Sequence, residues 1–176
     1  VRGLVVACSG GLDSMALLQA LFLVLPDGKP PIRVAHIHHG LNPAADDWAE
    51  EVARQCGRLG LSCLIRRVHI PSGGSLEESA REARYRSLAE ITGPGEVLVT
   101  AHHGDDQAET VLLQLLRGSA AAGMASMRQV SAVPYSDVEI PLWRPFLSLR
   151  RQALEAFARG EGLAWVRDSS NDDQSH

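Results

Sequence analysis

Lysine is almost missing from this sequence. Lys29 is the only lysine, and every other residue among the 17 basic ones is an arginine. Arginine suits bidentate contacts with phosphate, although a codon bias of the source genome explains the excess equally well. The 21 acidic residues outnumber the basic ones and leave a formal net charge of −4. That balance argues against a strongly basic nucleic-acid-binding domain.

Long apolar runs and paired cysteines are lacking as well. No stretch approaches the roughly 20 apolar residues that a membrane-spanning helix needs, and the first residues have no signal-peptide profile. The three cysteines, Cys8, Cys56 and Cys63, form no CxxC pair, and one of them stays unmatched in any disulfide scheme. We therefore expect a soluble, cytoplasmic protein with reduced thiols, no membrane partner and one globular domain.

Apolar strands alternate with helical patterns along the first two thirds of the chain. The predicted strands are residues 4–7, 32–37, 63–70 and 97–100, each followed by a helical pattern. Ser75 and Glu78 form a capping box that predicts the start of the third helix. Nearly continuous apolar strands joined by helices predict an α/β fold with a doubly wound parallel sheet. Beyond Gly118 the sequence predicts short strands over 130–133 and 138–140 and a helix over 148–159.

A pair of glycines follows the first predicted strand. The segment Ser9-Gly10-Gly11-Leu12-Asp13-Ser14 joins this strand to a helical pattern. Two glycines allow the backbone to approach an anion, and the amides at a helix N-terminus favour negative charge. The segment therefore predicts a phosphate-binding loop. It lacks the lysine of the GxxxxGK[ST] motif and the third glycine of a dinucleotide fingerprint, so we expect neither of those sites.

Histidines follow two other predicted strands. His38 and His39 come after the second strand, and His102 and His103 come after the fourth. Ligands of such sheets bind beyond the carboxyl ends of the strands, where imidazoles can contact adenine or phosphate or transfer protons. A zinc site is the alternative, but no HExxH motif or Cys-His pair supports it.

Carboxylates and arginines occur near the same predicted strand ends. Asp105, Asp106 and Glu109 begin a helix, where capping explains one acidic residue but not three. Asp106 and Glu109 are three residues apart and share a helix face, which predicts a negative pocket for an ammonium group or a metal. Arg81 and Arg84 have the same spacing, for which a solvated helix face is the ordinary interpretation.

The phosphate loop resembles the signature of the PP-loop ATP pyrophosphatases, because SGGLDS matches SGGxDS at every fixed position. The resemblance implies a Rossmann-like fold in which the loop holds the pyrophosphate part of ATP. It also implies that Asp13 helps to hold Mg²⁺. The residues implied in ATP binding are Ser9, Gly10, Gly11, Leu12, Asp13, Ser14, His38 and His102.

Five further segments are similar to those of tRNA(Ile)-lysidine synthase, a member of that family. They are residues 36–41, 75–85, 101–110, 144–146 and 167–171. The resemblance implies that ATP adenylates O2 of the wobble cytidine in tRNA(Ile), after which the amine of free L-lysine attacks C2 and expels AMP. It implies that Asp106 and Glu109 hold the lysine. The residues implied in catalysis are Asp13, Arg81, Arg84, Asp106 and Glu109.

Other functions stay open at this point. A PP-loop tRNA thiolase is the nearest rival, although such enzymes often carry CxxC pairs or a catalytic cysteine. Amide-forming relatives and a non-catalytic ATP-binding module are further alternatives, and the carboxylate cluster disfavours both. Members of the family usually continue into C-terminal tRNA-binding domains, so we expect residues 1–176 to form the N-terminal PP-loop catalytic domain. The sequence leaves the general base and the oligomeric state undetermined, and a homodimer is compatible with it.

Overall fold

The computed structural model describes residues 1–25, 30–70, 75–116 and 126–166. The predicted segment 167–171 lies outside these residues, as does Lys29. The strand predicted over 97–100 is expected to lead into a helix over 105–117, of which residue 117 also lies outside them. The elements in chain order are β1 Gly3–Ala7, α1 Leu12–Val24, β2 Ile32–His38, α2 Ala45–Arg58, β3 Ser62–Arg67, α3 Leu76–Ile91, β4 Glu96–Val99, α4 Gly104–Leu116, β5 Val130–Ala132, β6 Pro141–Trp143 and α5 Arg151–Gly160.

The strands form one sheet in the order β3-β2-β1-β4-β6-β5. The strands β3, β2, β1, β4 and β6 pair in parallel, and β5 pairs antiparallel with β6 at one edge of the sheet. The predicted α/β fold with a parallel sheet is confirmed. Chain order reverses between β1 and β4, and open α/β sheets bind ligands at the carboxyl ends of the strands at such a reversal. The topology therefore points to the residues that follow β1 and β4.

Helices cover both faces of the sheet because its strands are apolar on both sides. Val6 packs with Leu17 of α1 and Val52 of α2 on one face, whereas Val5 packs with Leu88 of α3 on the other. Adjacent strand residues point to opposite faces, so Val5 and Val6 belong to different cores. All five side chains are almost completely buried, and each such burial contributes about 1.5 to 3 kcal/mol.

The last two helices differ in how they are anchored. Helix α5 packs against α1 through Leu154 and Ala158. Helix α4 contributes no buried side chain over its described length, and its C-terminal half exposes Leu112, Leu113, Leu115 and Leu116. Across the described parts of the chain, no helix combines the length and apolar character needed to cross a membrane.

Several predicted boundaries differ from the observed ones. Strand β3 ends at Arg67 rather than at residue 70, and strands β1, β4 and β5 differ by one residue at one or both ends. Strand β2 extends to His38, one residue beyond its predicted end. The sixth strand is Pro141–Trp143 rather than 138–140, because the exposed Val138 belongs to the turn of the hairpin. Helix α5 begins at Arg151 rather than at residue 148. The Ser75 cap of α3 is confirmed, since its side chain accepts a hydrogen bond from the Glu78 amide.

Candidate active site

The phosphate loop connects β1 to α1 and is held in place by its own hydroxyl groups. Ser14 Oγ donates to the Gly11 carbonyl oxygen at 3.0 Å and lies 3.2 Å from Ser9 Oγ. The Gly11 amide donates to Ser9 Oγ at 3.3 Å. Helix α1 begins at Leu12, two residues before the predicted start, with Gly11 as N-cap. Because Gly11 provides no capping side chain, the first-turn amides stay available for an anion.

Gly10 gives the loop its shape. Its φ of +89° lies in the left-handed region that side chains disfavour, and an added Cβ would lie 3.0 Å from Val52 Cγ2. The Gly10 carbonyl oxygen also accepts a hydrogen bond from the Val166 amide at 2.9 Å. The loop is therefore fixed between α2 and the segment that follows α5.

A cavity of about 770 Å³ opens at the carboxyl ends of β1, β2 and β4. Its wall includes the phosphate loop, the end of β2, one face of α3, the segment after β4 and the start of α5. The predicted site residues that line it are Ser9, Gly11, Leu12, Asp13, Ser14, Arg84, His102 and Asp106. Gly10, His38, Arg81 and Glu109 are not among its lining residues. The structure thus brings eight of the twelve predicted site residues together.

The end of β2 places its histidines differently from the prediction. His38 is still part of the strand, where it pairs with Arg67, and its Nε2 lies 3.1 Å from Asp46 Oδ1. His39 is the first residue beyond the strand, and it lines the cavity. Its Nδ1 is buried without a hydrogen-bond partner, and burial lowers its pKa. The geometry therefore favours His39 over His38 for contact with a ligand.

Asp13 presents an unsatisfied carboxylate oxygen in the first turn of α1. Its Oδ2 lies 3.6 Å from His103 Nε2, whereas its buried Oδ1 has no hydrogen-bond partner. Arg151 Nε is 3.9 Å from that oxygen, beyond hydrogen-bond distance. Burial raises the pKa of Asp13, and His103 and Arg151 oppose the shift. A buried carboxylate oxygen that has no hydrogen-bond partner is suited to contact a cation.

The start of α4 uses two of its carboxylates as caps. Asp106 Oδ2 accepts a hydrogen bond from the His103 amide at 2.8 Å, and Asp105 Oδ2 accepts one from the Arg151 amide at 2.7 Å. Glu109 is exposed, one turn further along the helix. Asp106 therefore caps α4, and Asp105 caps α5. Asp106 also lines the cavity, while Glu109 does not.

A tight backbone contact joins α4 to the segment before α5. The Gly104 amide donates to the Leu149 carbonyl oxygen at 2.6 Å. A Cβ at Gly104 would lie only 2.9 Å from that oxygen, so this position requires glycine. The contact holds the N-termini of α4 and α5 side by side, which brings Asp106 and Arg151 to the same cavity.

Two nitrogen-bearing side chains, Arg84 and His102, also line the cavity. The Arg84 guanidinium forms no ion pair with a described carboxylate and lies 5.5 Å from the centre of the Tyr85 ring. His102 Nδ1 lies 2.8 Å from Thr100 Oγ1. Burial, followed by the charge of Arg144, lowers the pKa of His102 to about 4. His102 is therefore a neutral imidazole at physiological pH.

The lowered pKa of His102 predicts how stability depends on pH. Above pH 6.5 the ring is neutral in both states, but as the pH falls from 6.5 towards 4 only the unfolded chain gains the proton. We expect the melting temperature to fall across this window and the fall to be smaller in His102→Gln. Thermal denaturation at several pH values measures both slopes. His69→Gln, at an exposed position, should keep the wild-type slope, and an unchanged slope in His102→Gln would contradict the assignment.

Comparisons with known proteins show the family of this chain. The sequence pattern of the PP-loop domain family matches residues 1–176. The chain belongs to that family. A solved structure with the same fold is a U34-tRNA thiolase from Methanococcus maripaludis, with a TM-score of 0.67 and 16% identity over 94% of this chain and 59% of that one. At this identity the similarity shows only that the two proteins share a fold.

Curated relatives are more similar in sequence. The tRNA(Ile)-lysidine synthase of Alkalilimnicola ehrlichii is 46% identical over 99% of this chain and 39% of its own length. The enzyme of the same name from Pseudomonas aeruginosa is 44% identical over 97% of this chain and 38% of its own length. This PP-loop domain therefore spans less than half the length of these relatives.

Sequence reasoning missed several cavity residues. Arg151 and Glu155 of α5 and Trp165 beyond it line the cavity, but they lie far along the chain from the phosphate loop. His103 was noted among four histidines, and it does not line the cavity. Its buried position between Asp13 and Asp106 depends on tertiary packing.

Proposed function

We propose that this PP-loop domain adenylates O2 of the wobble cytidine of tRNA(Ile) and then transfers L-lysine to C2 of that base. In the first step O2 attacks the α-phosphorus of ATP, and pyrophosphate leaves. In the second step the lysine ε-amine attacks C2, and O2 leaves with AMP while the amine loses its proton. The observation that carries the proposal is one cavity that joins an anion-binding loop, an unpaired arginine and a carboxylate.

The phosphate loop would hold the pyrophosphate part of ATP. The free amides of the first turn of α1 and the hydroxyl-braced backbone at Gly11 suit anionic oxygens. Asp13 would hold Mg²⁺ through its unsatisfied Oδ1, and the ion would neutralise charge on the phosphates. No cluster of three or more metal-binding side chains occurs among the described residues, which fits an ion that is bound mainly by phosphate and water.

Arg84 would stabilise the negative charge that develops at the α-phosphate. Arg84 lines the cavity and forms no ion pair with a carboxylate of the described residues, so its guanidinium is available for a phosphate oxygen. Arg81 lies one turn earlier on α3, with its guanidinium 5.1 Å from the centre of the Tyr85 ring. Since Arg81 does not line the cavity, its contribution would come from its charge or from a tRNA contact at the rim.

Asp106 and Glu109 would hold the ammonium group of lysine. Asp106 has one oxygen engaged by the His103 amide and still lines the cavity, whereas Glu109 is exposed one turn further along α4. Asp106 therefore suits the buried contact and Glu109 the entry of the substrate. The low pKa of His102 makes it a weak proton acceptor, comparable in basicity with an ordinary carboxylate, so the proposal assigns the general base to neither.

A tRNA thiolase is the second candidate, because Cys8 lines the cavity beside the phosphate loop. Its Sγ lies 3.7 Å from Ser14 Oγ and 3.6 Å from Met15 Sδ. Burial raises the pKa of Cys8 to about 11, so the thiolate that a sulfur transfer requires is scarce at neutral pH. This chemistry favours lysine transfer over thiolation.

Release of AMP and pyrophosphate tests the proposal. The protein is incubated with ATP, Mg²⁺ and a tRNA(Ile) transcript, with and without L-lysine, and both products are quantified. We expect AMP release to require tRNA and lysine together. A module that only senses ATP would release neither product, and a thiolase would release AMP with a sulfur donor in place of lysine. Stimulation by sulfide and not by lysine would contradict the proposal.

A further inference from the structure

One buried histidine contacts both carboxylates to which the proposed function assigns a positive charge, Mg²⁺ at Asp13 and the lysine ammonium group at Asp106. His103 is 4% exposed and does not line the cavity. Its Nε2 lies 3.6 Å from Asp13 Oδ2, and its main chain and its ring both bind Asp106. A buried ring between two carboxylates that line the cavity is placed to hold them rather than to contact a ligand itself.

His103 and Asp106 form a reciprocal cap at the start of α4. The His103 carbonyl oxygen accepts the first hydrogen bond of the helix, from the Gln107 amide at 3.1 Å, so His103 occupies the N-cap position. Its Nδ1 accepts a hydrogen bond from the Asp106 amide at 3.4 Å, while Asp106 Oδ2 accepts one from the His103 amide at 2.8 Å. This is the arrangement of a capping box, with an imidazole in place of the usual hydroxyl group.

The cap determines which nitrogen of the imidazole carries the proton. A backbone amide only donates, so Nδ1 contributes its lone pair and the neutral ring carries its proton on Nε2. An N–H group therefore lies beside Asp13 Oδ2, at a separation slightly longer than a hydrogen bond. The other oxygen of that carboxylate, Oδ1, is buried without a hydrogen-bond partner. The two oxygens of Asp13 thus have different surroundings, one next to His103 and one unsatisfied.

We propose that His103 is a positioning residue, whose Nε2–H group attracts Oδ2 of Asp13 and thereby orients the carboxylate so that Oδ1 is presented to Mg²⁺. The inference rests on the proposed role of Asp13. Groups that contact the ligands of a metal ion fix the orientation of those ligands, and their loss typically weakens metal binding by about 10- to 100-fold. Because the same ring caps α4, the positions of Asp13 and Asp106 depend on one side chain.

Two substitutions separate the functions of the two ring nitrogens. In His103→Asn the amide oxygen takes the position of Nδ1 and still caps α4, since asparagine is a favoured N-cap residue, but the side chain has no group at the position of Nε2. In His103→Gln the amide NH₂ takes the position of Nε2 and still donates to Asp13, but the cap is lost.

Magnesium-dependent nucleotide binding measures the orientation of Asp13. The affinity of a non-hydrolysable ATP analogue is determined by calorimetry with Mg²⁺ and with EDTA, and the ratio of the two affinities reports the contribution of the ion. We expect this ratio to fall about tenfold in His103→Asn and to stay within about twofold of wild type in His103→Gln, where the donor to Asp13 is retained. The measurement needs neither tRNA nor turnover.

Stability should change in the opposite order, which separates this role from a merely structural one. Without nucleotide, His103→Asn should melt near the wild-type temperature, whereas His103→Gln should melt about 2 to 4 °C lower because it lacks the cap. A wild-type ratio in folded His103→Asn, or a ratio that falls only in His103→Gln, would overturn the proposal. Asp13→Asn is measured alongside. If its ratio is also unchanged, the proposed role of Asp13 fails as well, whereas a ratio lowered in Asp13→Asn alone overturns only the positioning role.

Discussion

Asp13→Asn should lower the rate of pyrophosphate release by about a hundredfold or more, since removing a group that stabilises transition-state charge typically has that effect. The buried Oδ1 of Asp13 has no partner, and Asn has no charge with which to hold Mg²⁺ there. Titration of ATP binding with Mg²⁺ should also show a weaker dependence on the ion. Steady-state pyrophosphate release and this titration measure the two effects.

The same substitution should not destabilise the protein. Because burial raises the pKa of Asp13, its ionised form is disfavoured in the folded state, and this penalty is present at neutral pH and disappears at acid pH. We expect the melting temperature of Asp13→Asn at pH 7 to equal or exceed that of wild type. Asp47→Asn removes an exposed carboxylate from the first turn of α2 and should preserve activity. A stable Asp13→Asn protein with full activity would refute the assigned role.

Gly11→Val should weaken ATP binding about a hundredfold, or about 2.8 kcal/mol, while the protein remains folded. Gly11 has φ −72° and ψ 166°, a conformation that branched residues adopt without strain. An added Cβ would meet only Ser9 Oγ, at 3.5 Å, so the rest of the side chain would enter the space for phosphate. Calorimetric titration with ATP and thermal denaturation check the two parts of this expectation.

Gly10→Val provides the contrast. At Gly10 both the positive φ and the contact with Val52 oppose a side chain, so this variant should lose stability as well as binding. If Gly11→Val binds ATP with wild-type affinity, the loop does not hold phosphate. A large loss of stability in Gly11→Val would instead show that position 11 does not tolerate a side chain in the folded loop.

The central part of the fold was predictable because local patterns and the parallel topology agree. The run of apolar residues before Ser9, the glycine pair and the helix that contains Asp13 have signals within a few residues of each other. A parallel arrangement of the first four strands then follows from their helical crossovers. The same reasoning placed His102 at a strand end that faces the site, and the structure adds that this strand, β4, lies next to β1.

The rest depended on one-residue boundaries and on long-range packing. His38 was expected just beyond a strand, but β2 includes it, and successive strand residues point to opposite faces. His39 therefore takes the position in the cavity. Helix spacing suggested that Asp106 and Glu109 act together, yet Asp106 lines the cavity and Glu109 is exposed. The close contact between Gly104 and Leu149 fixes the position of this end of α4. Such contacts have no local sequence signal.

The most direct test of the account is mass spectrometry of the tRNA itself. A tRNA(Ile) transcript is incubated with the protein, ATP, Mg²⁺ and isotopically labelled L-lysine, and the anticodon fragment is analysed after nuclease digestion. The account predicts a mass gain at the wobble cytidine that requires ATP and carries the lysine label. A wobble cytidine that remains unmodified while the protein binds ATP and tRNA, or one that gains sulfur instead, would contradict it.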